Sequence, residues 1–285
     1  MAGRFQDHVD RILTRRDSLL CVGLDPEPDR LPASLRRMSP AVGLRKFNDG
    51  ILAATEDYAA AYKMQFAGFL RYGPKGIEEL ARLTKEIGPS RLRILDLKAN
   101  DIPNTMRMYR DAAFRTLGFD AITVTPWLGW ETLAPVAEDD RHGFFVLAHS
   151  SNPGAPDFQE IPTPRGPLWQ AVVGVVKELA ATRGNAGVVV GATFAEAIKN
   201  ARDILGNGVP ILVPGVGAQG GALSSTVREG TDARGRALLV NSSRSIIYAS
   251  SDGRWAAAAR AEAERLHTQI NQLRAGVGRA PTANR

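Results

Sequence analysis

Leu92-Arg-Ile-Leu-Asp-Leu-Lys-Ala-Asn-Asp-Ile-Pro-Asn-Thr105 reads as a strand, a short loop and the opening of a helix. Residues 92–97 form the strand. Its polar side chains gather at the C-terminal end, and Pro103 suits a first helical turn, where its missing N–H costs nothing. The same strand-then-helix unit recurs along the chain. Further strand runs are 19–24 (LLCVGL), 61–66 (AYKMQF), 120–125 (DAITVT), 143–148 (GFFVLA), 186–191 (AGVVVG), 210–214 (PILVP) and 236–241 (RALLVN). Several are nearly continuous apolar runs, as parallel strands covered on both faces require. Helical periods lie between them near 40–58, 75–87, 103–117, 130–138, 166–183, 193–205, 221–229 and 254–274. Eight alternations predict an α/β protein with a single (β/α)8 TIM barrel. An open dinucleotide-binding sheet is the alternative, but no G-x-G-x-x-G follows the first strand. The barrel domain is expected over 1–275, with 276–285 as a flexible C-terminal tail.

Two connections exceed the usual length: 24–39 after the first strand and 149–165 after the fifth. Both are proline-rich, and both lie on the face where barrel enzymes carry their chemistry. Simple surface insertion is the competing reading.

Strand alternation turns Asp96 and Lys98 to one side at the end of the third strand, into the barrel mouth. Asp101 follows in the loop, and Lys63 ends the neighbouring second strand. Buried carboxylates are costly unless paired. An alternating Lys63–Asp96–Lys98–Asp101 array neutralises itself and keeps its lysines protonated. A protonated lysine can donate a proton; the alternative is an ion network that merely closes the barrel.

Val213-Pro-Gly-Val-Gly-Ala-Gln-Gly-Gly221 follows the seventh strand. Its glycines let backbone amides approach an anion, and Gln219 adds a donor. One strand later, Arg244 in Val240-Asn-Ser-Ser-Arg-Ser-Ile246 can fork two hydrogen bonds to a phosphate. After the fifth strand, the serines of His149-Ser-Ser-Asn-Pro-Gly-Ala155 either bond an amide-bearing ring or cap a turn. Asp25, in Gly23-Leu-Asp-Pro26, either accepts from a sugar hydroxyl or makes a plain Asp-Pro turn.

Composition narrows the classes. The 285 residues carry 36 basic and 30 acidic side chains, a net charge of +6, which suits an anionic ligand without demanding nucleic acid. The arginines are spread along the chain with no interleaved aromatic platform, so nucleic-acid binding is not expected. A single cysteine excludes an internal disulfide and a cysteine zinc cluster. No apolar stretch is long enough to span a bilayer, and the charged start of the chain is no secretory signal. The expected location is cytoplasmic. His8 and His267 read as solvated, His142 as a turn residue and His149 as support beside the serines. Trp127, Trp130 and Trp169 read as packing near the rim, and Cys21 as an inert buried thiol.

These motifs together resemble the orotidine 5′-phosphate decarboxylase family. The matching residues are Gly23-Leu24-Asp25, Lys63, Asp96-x-Lys98-x-x-Asp101-Ile102, Ser151-Asn152-Pro153-Gly154, Pro214-Gly-Val-Gly-x-Gln219-Gly-Gly221 and Ser243-Arg244-x-Ile246. They occur in the family's order over roughly residues 18–250. The long insertion after the fifth strand and the Asn-Ser-Ser-Arg form of the last motif resemble a bacterial subgroup. Many members have Gly-Arg where this chain has Ser243-Arg244.

The resemblance implies a homodimeric barrel that converts orotidine 5′-phosphate to uridine 5′-phosphate and carbon dioxide without cofactor or metal. It implies that Lys98 protonates C6, that Asp96 lies against the departing carboxylate, and that Lys63 orients Asp96 and touches the ribose. It also implies that Asp101 reaches into the neighbouring subunit's site. Asp25 and Thr105 would bind ribose hydroxyls, Ser151 the pyrimidine amide edge, and Pro214, Gln219 and Arg244 the phosphate side. Two alternatives remain: a magnesium-dependent 3-keto-L-gulonate 6-phosphate decarboxylase-like enzyme, which shares the Asp-x-Lys-x-x-Asp core, and a phosphate-sugar-binding barrel without catalysis.

Overall fold

In the computed structural model, which describes residues 4–216 and 220–277, eight parallel strands close into one barrel in strict chain order. They are β1 (Leu20–Leu24), β2 (Ala61–Gln65), β3 (Leu92–Ala99), β4 (Ala121–Val124), β5 (Gly143–His149), β6 (Ala186–Val190), β7 (Ile211–Pro214) and β8 (Leu238–Ser242). Every expected strand run is present. Their apolar side chains are almost wholly buried, because the barrel interior covers one face and the outer helices the other. Closure pairs Leu20 with Val240, Cys21 with Asn241 and Val22 with Ser242.

The helices Pro40–Thr55, Pro74–Ile87, Leu168–Arg183, Ala195–Leu205, Gly220–Gly230 and Trp255–Arg274 surround the barrel, and Phe5–Arg16 precedes it. Three expected helices differ in detail. The segment expected over 103–117 is α-helical only over Pro103–Arg110 and then widens into a π-helical turn, Asp111–Thr116. The segment near 130–138 is a 3-10 turn, Trp130–Leu133, followed by the short helix Ala134–Ala137. Pro135 falls in its first turn, where a missing N–H is tolerated. The helix expected from 166 begins at Leu168, because Gly166–Pro167 instead pairs with Pro162–Thr163 in a small hairpin.

Both long loops carry structure of their own. The loop after β1 holds a 3-10 turn, Pro28–Arg30, and the short helix Ala33–Arg36. The loop after β5 holds the turn Ala155–Asp157 and that hairpin. On the opposite side of the barrel, buried Arg202 donates to the carbonyls of Gly206, Val209, Gly230 and Ala237 at 2.7–3.0 Å, tying the approaches to β7 and β8 together. Burial lowers its pKa to about 10. Among the described residues, no helix is long and apolar enough to cross a membrane.

Candidate active site

The C-terminal ends of the strands surround a cavity of about 410 Å³. Its charged side is Lys63, Asp96 and Lys98; its apolar side is Leu147, Val189, Leu212 and Pro214; Ser150, Ser151, Asn152 and Gln159 approach from the loop after β5.

Asp96 is the hub. It ends the register that pairs β2 with β3, opposite Gln65, and its side chain is only 10% exposed. Lys63 Nζ donates to Oδ2 at 2.8 Å, while Lys98 Nζ donates to Oδ1 at 2.6 Å. Burial by itself would raise the Asp96 pKa, but the two ammoniums outweigh it and hold the carboxyl well below its usual range. Lys63 shows the mirror case. Burial disfavours its charge, but Asp25 and Asp96 overcome this and raise its pKa.

Lys98 reaches Asp96 through an unusual backbone. The β3–β4 register shifts between Leu95 and Ala99, and Lys98 has φ +50°, in the left-handed region that costs a non-glycine residue on the order of 1–2 kcal/mol. The bulge turns the lysine to the cavity with its side chain 44% exposed. Thr123 of β4 holds this geometry: its hydroxyl accepts the Lys98 backbone N–H at 2.9 Å and donates to Asp96 Oδ1 at 2.9 Å. Thr123 falls within the strand run expected over 120–125, with no role assigned to it there. The available signal was a hydroxyl within an apolar run near a strand's C-terminal end.

Asp101 does not join the array within the chain. It is half-buried, and its carboxylate accepts from the Ile102 N–H at 2.7 Å, with no ion pair among the described residues. The fourth member is instead Asp25, whose Oδ1 lies 3.9 Å from Lys63 Nζ. Asp101 lies in the loop beyond the end of β3, whereas Asp25 directly follows β1, which is paired with β2 through Gly23 and Lys63. Asp25 is also bonded across the barrel closure, its Oδ2 accepting from the Ser243 hydroxyl at 2.5 Å. A methyl on Gly23 would overlap that hydroxyl, which accounts for the glycine.

The expected binding residues divide. Ser151 and Pro214 line the cavity. A Cβ on Gly191 would lie 2.7 Å from the Ser151 nitrogen, so the glycine lets that loop pass close to β6. Thr105 is half-buried on the helix after β3 and is not among the cavity's lining residues. Arg244 is exposed and opens the short helix Arg244–Ile247, with no ion pair among the described residues. Gln219 lies outside the described residues.

The loop after β5 is tied down from below. His149 is 1% exposed, with Nε2 3.1 Å from Glu160 and its ring edge-on to Trp169 and Phe194. Gln159 Oε1 accepts the Ser150 N–H at 2.8 Å. Trp169 is buried as expected, but Trp127 is 70% exposed. His8 and His267 are half-buried rather than solvated, and burial lowers both their pKa values. Cys21 is fully buried, which pushes its thiol up to about 12. Among the described residues, no group of three or more histidines, cysteines, aspartates and glutamates is arranged to hold a metal ion.

Comparison with known proteins decides the family. The model of the orotidine 5′-phosphate decarboxylase / HUMPS family matches residues 18–260. The chain belongs to this family. Within the orotidine 5′-phosphate decarboxylase / HUMPS family, it is 40% identical over 272 residues to the orotidine 5′-phosphate decarboxylase of Ralstonia nicotianae, covering 95% of this chain and 99% of that one. It is also 40% identical over 272 residues to the enzyme of the same name from Thermomicrobium roseum, covering 95% and 96%. Among solved structures, the OMP decarboxylase of Leishmania donovani superimposes with a TM-score of 0.82 at 31% identity, covering 95% of this chain and 99% of that one.

Proposed function

We propose that this protein decarboxylates orotidine 5′-phosphate to uridine 5′-phosphate in pyrimidine biosynthesis, with Lys98 as the proton donor. One observation carries the reading: two ammoniums converge on one ionised carboxylate beside a cavity whose facing wall is apolar. The C6–carboxylate bond breaks, its electron pair remains on C6, carbon dioxide departs, and the Lys98 ammonium delivers a proton to C6. A carbanion at C6 has no conjugated electron sink, so a fixed positive charge is the main stabilisation available, at little reorganisation cost. Asp96 lies against the departing carboxylate. Its own charge is retained because Lys63 and Lys98 share it.

The remaining substrate contacts rest on the family resemblance of the motifs that carry them. Ser151 takes the pyrimidine amide edge, Asp25 and Thr105 ribose hydroxyls, and Pro214, Gln219 and Arg244 the phosphate side. No cofactor takes part. The active form is a cytoplasmic homodimer in which Asp101 enters the partner's site. The support for the dimer is an Asp101 without an ion pair among the described residues, together with exposed Ile102, Met108, Tyr109, Trp127 and Leu128 on the segments that follow β3 and β4. Asn100 Oδ1 accepts the Leu128 N–H at 2.7 Å, tying these two loops together.

An absorbance assay for loss of orotidine 5′-phosphate tests the reading. Turnover that persists with a chelator present supports it; no turnover by the intact protein overturns it.

A further inference from the structure

We propose that Ser243 is a positioning residue that decides which oxygen of Asp25 meets the ligand. The inference rests on the reading of Asp25 as a sugar-hydroxyl acceptor. The two Asp25 oxygens have unlike surroundings. Oδ2 accepts the Ser243 hydroxyl at 2.5 Å, whereas Oδ1 is buried without a hydrogen-bond partner among the described residues. Lys63 Nζ stands 3.9 Å from Oδ1, beyond hydrogen-bond range, and is committed to Asp96 at 2.8 Å. A carboxylate beside an ammonium swings toward it unless something holds it back. A short hydroxyl-to-carboxylate bond is strong enough to do so. Ser243 thereby leaves Oδ1 without a hydrogen-bond partner of its own and keeps Lys63 on Asp96.

The surrounding chain is built for this contact. Gly23 provides the space for the serine hydroxyl, since any side chain there would collide with it. The Ser243 carbonyl accepts the N–H groups of Ile246 and Ile247 at 2.9 Å, so Ser243 is fixed to the turn that carries Arg244. Tyr248 adds a second tie to the loop after β1: its hydroxyl accepts the Glu27 N–H at 2.6 Å and donates to the Asp25 carbonyl at 3.2 Å. The ribose acceptor and the phosphate-side arginine are thus held as one unit across the barrel closure.

The test titrates uridine 5′-phosphate and its 2′-deoxy and 3′-deoxy analogues into wild type, Ser243→Ala, Asp25→Ala and the double variant. In wild type, one deoxy analogue binds about tenfold or more weakly than the parent, the size of a hydrogen bond to a charged acceptor. In Ser243→Ala that ratio falls to about threefold or less, and on the Asp25→Ala background the serine change alters affinity for the parent by less than about twofold. An unchanged ratio in Ser243→Ala, or fully additive losses in the double variant, overturns the role of Ser243 and leaves Asp25 as the sugar acceptor. A wild type indifferent to both hydroxyls overturns the reading of Asp25, and this proposal with it.

Discussion

Thr123 and Lys98 meet across the β3–β4 pair, the threonine hydroxyl taking the lysine's backbone N–H at 2.9 Å while donating to Asp96. One side chain therefore stabilises the left-handed backbone of Lys98 and orients the carboxylate that its ammonium contacts. Thr123→Val keeps the shape and removes both bonds. It should lower kcat by about tenfold or more, because it leaves a backbone N–H unsatisfied and a carboxylate short of one donor. The KM should change little, and Thr123→Ser should recover most of the rate. Steady-state kinetics on the three proteins decide it; equal losses in the valine and serine variants would remove the hydroxyl from the account.

Arg244 is exposed at the start of its helix with no ion pair among the described residues, so its charge is available to an anion. Arg244→Ala should weaken uridine 5′-phosphate by about 10- to 100-fold, the range for hydrogen bonds to a charged group. Binding of uridine, which lacks the phosphate, should hardly change. Calorimetric titration of both ligands checks this, and comparable losses for the two would contradict the phosphate role.

Asp96 should contribute to stability in a pH-dependent way. Its folded pKa is depressed, so its contribution is full above the unfolded value of about 3.9 and fades as pH falls below that toward the folded value. Asp96→Ala leaves buried Lys63 with a partner at 3.9 Å only, and breaking such a pair costs about 3–5 kcal/mol. Urea unfolding at about pH 7, 5 and 3.5 should show a constant gap between wild type and variant at the first two and a smaller gap at the third. A gap that widens in acid would reverse the sign of the argument.

Mixing Lys98→Ala with Asp101→Ala tests the shared site. Each variant alone should be inactive as a homodimer. After random subunit exchange, half the dimers are mixed and each has one complete site, giving about a quarter of wild-type activity for a twofold-symmetric dimer. Exchange verified by mass spectrometry without recovered activity would mean that Asp101 serves its own chain.

The eight strands were legible because burial on both faces leaves its mark in runs such as Gly187-Val-Val-Val190 and Ile211-Leu-Val213. Lys63, Asp96 and Lys98 were legible because charges at the ends of such runs must face the cavity or be paired. Four features left no comparable mark. The bulge at Lys98 depends on φ, and period-two alternation has no sensitivity to it; Asp96 and Lys98 share a side for a reason that alternation alone does not contain. Asp25 as the array's fourth member, in place of Asp101, depends on side-chain reach across the β1–β2 pair, which the strand runs do not specify. The Ser243–Asp25 bond joins residues 218 positions apart, and only barrel closure brings them together. The short helix Phe66–Leu70, begun by a Gln65 side chain that accepts the Gly68 N–H at 3.0 Å, starts at the last residue of the run expected as strand over 61–66 and was not expected.

The pairing of β1 with β8 also bears on how the protein is made. Leu20 waits for Val240, so a chain leaving the ribosome carries an unpaired β1 edge until almost all of it has been synthesised. Such a long-range pairing is among the slowest contacts to form. Asp25 follows β1 and Ser243 follows β8, so that last pairing also completes the ligand end of the site. Nascent or truncated chains that stop short of β8 would hold Lys98 and Asp96 yet lack Arg244 and the Ser243 tie on Asp25, which makes completion of the ligand end a late event of biogenesis.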